Sequence, residues 1–160
     1  MNTAEKLVER GIDFLGQKNY SAALSCLEEA KERDSTNPNI FLTTGVIFFR
    51  MGKAEEALDN FLKIKDNFRH FEVRDFIAKC YLMIDLKLKA LSIYQELVEE
   101  VLRDVPRKDL ADHWVKYEEA LIWWSISDHS CHEIAIGILR EILVDYKKVV
   151  GKISSKSQRG

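Results

Sequence analysis

The chain has 160 residues, of which 46% are hydrophobic and 31% charged, a composition typical of a globular domain rather than a disordered segment. Its 24 basic and 26 acidic residues give a net charge of −2, without the concentrated basic surface that nucleic-acid binding requires. No apolar run reaches the ~20 residues of a membrane span, and the polar first ten residues do not resemble a secretion signal. Three widely spaced cysteines, Cys26, Cys80 and Cys131, suit a reducing compartment, so we expect a cytoplasmic protein.

Apolar residues recur at spacings of three and four along most of the chain, which is the period of an α-helix. Asn37 and Pro38 predict a helix start, because Asn can cap free N–H groups and Pro fits the first helical position. Gly52 and Gly151 predict helix ends. The chain is therefore predicted to be all-α, with a disordered polar tail at 150–160. The predicted helices are 3–17, 20–33, 38–51, 54–67, 72–84, 87–103, 109–126 and 131–149.

Several residues of the first predicted helix pair recur 34 positions later. The recurring residues are Gly11, Phe14, Ala23, Leu24 and Lys31, which become Gly45, Phe48, Ala57, Leu58 and Lys65. A further shift of 33 residues gives Ala78, Tyr81, Ala90 and Leu91. Small residues at Gly45 and Ala57 would let two helices approach closely, with Phe48 and Phe61 filling the volume beside them. Repetition at a fixed interval predicts a helical-repeat architecture.

This recurrence resembles the tetratricopeptide repeat (TPR) family, whose 34-residue unit is a helix–turn–helix. The resemblance covers three repeats, at 4–37, 38–70 and 71–103, and we interpret the less regular region 109–149 as a divergent or capping pair. Ile64 and Leu97 depart from the family pattern, which usually has a small residue there, and Arg74 stands at the usual tryptophan position. The resemblance implies a right-handed superhelical α-solenoid of about eight antiparallel helices over residues 1–149.

In this family, the first helix of each pair lines a concave groove. Carried over by position, the resemblance implies partner-binding roles for Val8, Ile12, Leu15, Leu42, Val46, Phe49, Arg50, Lys79 and Leu82. Glu5 and Asn39 also fall at groove positions. The implied function is a non-catalytic protein-interaction adaptor that binds a helical or extended peptide segment. The opposite interpretation stays open, since the same apolar strip could be core, or be covered by the last helices.

Other functions of the family are also considered. The clamp by which some TPR co-chaperones hold a C-terminal carboxylate uses Lys and Asn at the positions of Val8 and Ile12, so we do not expect that clamp here. Small TPR proteins of this length resemble chaperones for secreted or assembling subunits, which is one alternative. A self-assembling structural protein is another. The sequence names no partner and leaves the oligomeric state open.

An aromatic stripe crosses the predicted helix 109–126. It consists of Trp114, Tyr117, Leu121 and Trp124, at i, i+3, i+7 and i+10. Stripes at this spacing usually pack into a core, but Trp and Tyr are also favoured anchors at protein contacts. We therefore count Trp124 among the candidate partner-binding residues.

Residues 127–133, Ser-Asp-His-Ser-Cys-His-Glu, combine residue types found in metal sites and in nucleophilic sites. Ser130 and Glu133 precede an apolar helical run at the spacing of a capping box, which predicts a capped turn between two helices. No second ligand cluster, Gly-rich phosphate loop or other enzymatic motif is present. We accordingly predict no catalytic residues, no metal site and no cofactor.

Overall fold

The computed structural model describes residues 2–66, 70–104, 111–126 and 128–157. Within those ranges, every regular element is an α-helix, so the predicted all-α class is confirmed. The eight helices are α1 (Thr3–Gly16), α2 (Tyr20–Arg33), α3 (Pro38–Arg50), α4 (Ala54–Leu62), α5 (His70–Met83), α6 (Lys87–Asp104), α7 (Ala111–Ser125) and α8 (His129–Ser157).

Side-chain caps fix the starts of the early helices. The side chain of Asn2 accepts the N–H of Glu5, and the carboxylate of Glu5 accepts the N–H of Asn2, each at 2.9 Å, so α1 begins with a capping box. Asn37 caps α3 and Pro38 is its first residue, as the sequence predicted. After α3, Gly52 has φ +77°, the left-handed conformation that glycine adopts without strain, and this ends the helix.

The chain divides into two compact units, Met1–Asp85 and Leu86–Gly160. In the first unit, α1 packs on α2 and α3, α3 packs on α2 and α4, and α4 packs on α5. In the second unit, α8 packs on both α6 and α7. The predicted third repeat, 71–103, has its first helix in the first unit and its second helix in the second. The pairing of those two helices and the superhelical stacking of the whole chain stay predictions.

The core of the first unit is built from the small and apolar positions of the repeats. Its buried cluster consists of Leu7, Val8, Leu15, Ala23, Leu27, Ala30, Ile40 and Ile47. Beside it, the ring of Phe61 lies directly against Gly45, where an added Cβ would be 2.6 Å from Cε1 of the ring. The predicted close approach of α3 and α4 is therefore confirmed.

Polar contacts join the helices of the second unit. The hydroxyl of Tyr117 on α7 donates a hydrogen bond to the carboxylate of Glu99 on α6. Ion pairs join Lys116 on α7 to Glu141 on α8 at 2.5 Å and Lys87 on α6 to Glu133 on α8 at 2.6 Å. The buried side chains of α8 are Ala135, Ile136, Leu139, Ile142 and Leu143.

Two predicted helix ends are wrong. Helix α4 ends at Leu62 rather than at residue 67, because the N–H groups of Lys63 and Ile64 bond to carbonyls three residues back and tighten the chain into turns. Helix α8 passes Gly151 and continues to Ser157, where the sequence predicted a disordered tail. A helical glycine costs only about 1 kcal/mol relative to alanine, and no proline follows that would stop the helix. Residues 158–160 lie outside the described part of the chain.

None of the helices described here combines the length and the apolar character needed to span a bilayer.

Candidate functional site

A hollow of about 350 Å³ lies between the start of α1 and the start of α3. It is lined by Glu5, Val8, Glu9, Ile12, Asn37 and Asn39. Four of these residues, Glu5, Val8, Ile12 and Asn39, are at positions that the TPR resemblance assigns to the groove. The structure therefore brings together residues of the predicted inner wall that are far apart in the sequence.

Burial divides the predicted apolar strip into a floor and an exposed edge. Ile12 is 49% exposed, so its side chain is accessible from the hollow. Val8 is only 5% exposed and belongs to the core cluster together with Leu15. Leu42 is 8% exposed, and Val46 is partly buried against the same cluster. These four residues stabilise the fold, and a recognition role for them stays a prediction.

Phe49, on the last turn of α3, is half-buried and packs against an aromatic ring of α5. Its ring meets that of Phe76 on α5 edge-on, with centroids 5.4 Å apart. Phe76 in turn stacks on Phe61 of α4 at 5.0 Å. Phe76 was not among the predicted site residues, because no local pattern in α5 indicates that its ring packs against α3. Arg50 is exposed at the C-terminal end of α3, where a cation is stabilised by the helix dipole.

The two candidates on α5, Lys79 and Leu82, are both half-buried. The Lys79 ammonium pairs with Asp75, one helical turn earlier, at 2.7 Å and lies 5.4 Å from the ring centroid of Phe76. Ion pairs of this spacing contribute only about 0.3–0.5 kcal/mol. Lys79 can therefore exchange Asp75 for a partner's carboxylate at little cost.

The aromatic stripe of α7 combines buried and accessible side chains. Tyr117 is buried, and desolvation, followed by its hydrogen bond to Glu99, raises its pKa to about 12. Trp124 is half-buried and lines a shallow hollow of about 350 Å³ with Gln95, Leu121 and Ser125. The predicted core role holds for Tyr117, whereas an anchor role for Trp124, which keeps an accessible side, stays a prediction.

Helix α8 is capped by Asp128 and not, as predicted, by Ser130. The carboxylate of Asp128 accepts hydrogen bonds from the N–H of Ser130 at 2.8 Å and from its hydroxyl at 2.7 Å. These two bonds lower the pKa of Asp128. The predicted capping box is wrong because the helix already begins at His129, so Ser130 lies within its first turn and Asp128 takes the capping position. Ser127, the first residue of the predicted turn, lies outside the described residues.

The other residues of this turn have separate partners. Glu133, predicted as the second member of the capping box, pairs instead with Lys87, and that contact lowers the pKa of Glu133. The rings of His129 and His132 meet edge-on with centroids 6.5 Å apart. Among the residues that the structure describes, no three His, Cys, Asp or Glu side chains are grouped so that they could hold a metal ion.

No protein-family model matches the chain. It is 29% identical over 101 residues to the TPR repeat-containing protein YsoA of Bacillus subtilis (strain 168), a match that covers 62% of this chain. That match spans only 29% of the length of the relative.

Two solved structures show the same fold. The first TPR of Spaghetti (RPAP3), bound to the HSP90 peptide SRMEEVD, has a TM-score of 0.55 and 21% identity over 60% of this chain and 77% of that chain. The structure of MamA has a TM-score of 0.53 and 18% identity over 99% of this chain and 98% of that chain. The predicted resemblance to TPR proteins and the helical-repeat fold are confirmed by these matches.

Proposed function

Because the chain has the helical-repeat fold of TPR proteins and matches one of them in sequence, we propose that it is a protein-interaction adaptor. The fold itself supports a protein-binding scaffold in general terms. Within that class, we assign recognition to the hollow between α1 and α3, which would hold an amphipathic helical segment of a partner protein. The observation that carries this assignment is the exposure of Ile12 in a hollow lined by residues of the predicted inner wall.

The side chains of the hollow define the chemistry of the segment. Ile12 and the floor at Val8 offer an apolar surface, which favours a large apolar side chain of the partner. Glu5 and Glu9 are exposed on the same helix and carry negative charge, so they favour lysine or arginine beside that side chain. An amphipathic helix with an apolar stripe and a basic flank meets both requirements.

The same side chains disfavour an acidic peptide in this hollow. The HSP90 peptide SRMEEVD is the ligand named for one structure of similar fold. In this chain, Val8 and Ile12 stand at the positions of the clamp residues, and Glu5 and Glu9 would repel the two glutamates of that peptide. We therefore expect SRMEEVD not to bind between α1 and α3.

The experiment is an affinity capture from the native cells, quantified by mass spectrometry, with the parent chain and two variants. Ile12→Glu places a charge in the hollow at a position exposed enough to tolerate it. Ile134→Glu makes the same change at a site on α8 that is 43% exposed and serves as the matched control. A direct partner should be lost with Ile12→Glu and retained with Ile134→Glu. Equal recovery with all three proteins would contradict the assignment.

Self-association is a second candidate, favoured by an exposed apolar stripe on α7. The stripe consists of Val115 and Ile122 on α7 and of Ile126 directly after its last residue, each more than two-fifths exposed and spaced at i, i+7 and i+11. Light scattering across a concentration series tests it. Growth in mass with concentration that Ile122→Glu abolishes would support assembly through α7, and a constant mass would rule it out over that range.

We further propose that this protein is non-catalytic, has no cofactor, acts in the cytoplasm and binds proteins rather than nucleic acids. The three cysteines are free, which suits a reducing compartment. A chaperone for secreted or assembling subunits would use the same hollow, and the captured proteins would then be secreted or assembling subunits.

A further inference from the structure

A second hollow, of about 260 Å³, lies between α2, α3 and α4. It shares no lining residue with the hollow between α1 and α3. On α3 its residues are Ile40, Phe41, Thr44 and Phe48, whereas the predicted groove uses Leu42, Val46 and Phe49. The helical period places these two sets on different faces of α3. The second hollow is therefore a separate surface of the first unit.

Its floor is apolar. Leu27 and Ile40, each 2% exposed, form the bottom of the hollow, and Phe41 and Phe48 are half-buried along it. The volume lies below the roughly 300–1,000 Å³ of most small-molecule sites, so the hollow suits one or two side chains of a peptide better than a cofactor.

Its rim carries positive charge around one aromatic ring. The ammonium groups of Lys31 and Lys63 lie 5.9 and 5.4 Å from the ring centroid of Phe41. Each comes from the end of a different helix, α2 or α4, and two cations this close to the same ring repel each other. Glu28 is the only acidic residue of the lining, so the rim has a net charge of +1. A ligand that brings carboxylates relieves this repulsion.

We propose that this surface docks an acidic peptide segment of a partner protein, in which one apolar side chain enters the hollow and flanking carboxylates bind Lys31 and Lys63. The two surfaces then select opposite chemistries, since the hollow between α1 and α3 carries Glu5 and Glu9. One adaptor could thereby hold a basic amphipathic helix and an acidic segment at the same time. This inference does not depend on the first hollow being a binding site.

The test is a peptide array in which a central Leu, Phe, Trp or Ser is flanked on both sides by Glu, Gln or Lys. The parent chain is expected to prefer a large apolar centre with Glu flanks. In the double variant Lys31→Met and Lys63→Met, affinity for the best array peptide, measured in solution by fluorescence anisotropy, is expected to fall about tenfold. A tenfold loss of affinity corresponds to roughly 1.4 kcal/mol of binding free energy, divided between the exposed ion pairs that Lys31 and Lys63 form with the peptide. Methionine keeps an apolar stem beside Phe41, so the fold is expected to survive.

Two control proteins identify the surface. Lys6→Met with Arg10→Met removes the same charge from exposed positions of α1 and should leave the affinity unchanged. Ile12→Glu changes only the first hollow and should also leave it unchanged. Circular dichroism melts check that every variant is folded.

Several results would overturn the proposal. One is that no array peptide binds, and another is that binding does not depend on the flanking charge. The proposal also fails if the Lys6 and Arg10 control loses as much affinity as the Lys31 and Lys63 variant, or if only Ile12→Glu loses affinity. Binding to vesicles of anionic phospholipid in place of the peptides would overturn it as well, because the site would then be a lipid contact.

Discussion

The ring of Phe61 occupies the space that a side chain at Gly45 would need. A Cβ at position 45 would lie 2.6 to 2.9 Å from three atoms of that ring, closer than packed carbon atoms come. Phe61 is fully buried and stacks on Phe76, so the ring cannot move aside without disturbing α5. The close approach of α3 and α4 therefore depends on glycine at position 45.

The first prediction follows from this contact. Gly45→Ala should lower the free energy of unfolding by about 1–3 kcal/mol, as other overpacked cores do. Gly16→Ala is the matched control, since position 16 is helical and nothing lies within 4 Å of its added Cβ. That change should leave stability the same or raise it by about 0.5–1 kcal/mol. Urea denaturation of the three proteins measures both effects, and equal midpoints would show that α3 and α4 do not pack this closely.

A second prediction concerns the cap of α8. Asp128→Ala should lower the melting temperature, because it removes the acceptor of two hydrogen bonds, whereas Ser130→Ala should lower it less. Since the pKa of Asp128 is lowered in the folded state, its contribution is present at neutral pH and is lost as the pH falls through that lowered pKa. Asp128→Asn keeps an oxygen acceptor without the titration. Thermal melts should show that the difference in melting temperature between the parent and Asp128→Asn is smaller at acidic than at neutral pH. If Ser130→Ala lowers the melting temperature more than Asp128→Ala does, the cap is Ser130, as the sequence predicted.

These two regions show what the sequence could and could not predict. Gly45 and Phe61 were identified because the repeat brings a small residue and a large apolar residue to the same interface at intervals of 34 and then 33 positions. The start of α3 followed from Asn37 and Pro38, whose effects act within one turn. Asp128 and Ser130 are two residues apart, and both residue types are favourable N-caps. Which of them caps α8 depends on the residue at which the helix begins, and the sequence does not determine that residue. The contact between Phe49 and Phe76 depends on how α5 packs against α3, and no local sequence pattern predicts that packing.

Tyr117 gives a third prediction, for alkaline conditions. Its pKa is raised from the ordinary 10 to about 12 in the folded state, mainly by burial and then by its hydrogen bond to Glu99. The protonated phenol is therefore favoured by folding, and its contribution is complete below about pH 10 and lost as the pH rises from about 10 to about 12. Tyr117→Phe removes this dependence. The stability difference between the parent and Tyr117→Phe, measured by urea denaturation from pH 8 upward, should be constant to about pH 10 and then change; a difference that stays constant to pH 12 would contradict the assignment.

The cysteines provide a fourth prediction. Burial raises the pKa of the Cys80 thiol to about 11, so almost none of it is thiolate at pH 8 and its sulfur is shielded from solvent. Cys26 and Cys131 are only half-buried. Ellman's reagent should therefore modify at most two thiols per native chain and all three in denaturant. Rapid reaction of three thiols in the native protein would mean that α5 opens readily.

The last prediction concerns Phe49, the largest side chain of the predicted groove. The ligand for this test is a segment of a partner protein that the parent chain captures and Ile12→Glu does not. Phe49→Ala should weaken binding of that segment by at least about 2 kcal/mol, or roughly thirtyfold in affinity. The same change should also cost stability, because Phe49 packs edge-on against Phe76. Phe76→Ala removes the other ring of this contact and separates the two effects. It should destabilise the chain, while weakening binding much less than Phe49→Ala does. Isothermal titration calorimetry well below both melting temperatures measures the affinities of the folded proteins. Equal losses of affinity in the two variants would mean that Phe49 acts only by packing, and recognition would then be sought at Ile12 and at Trp124.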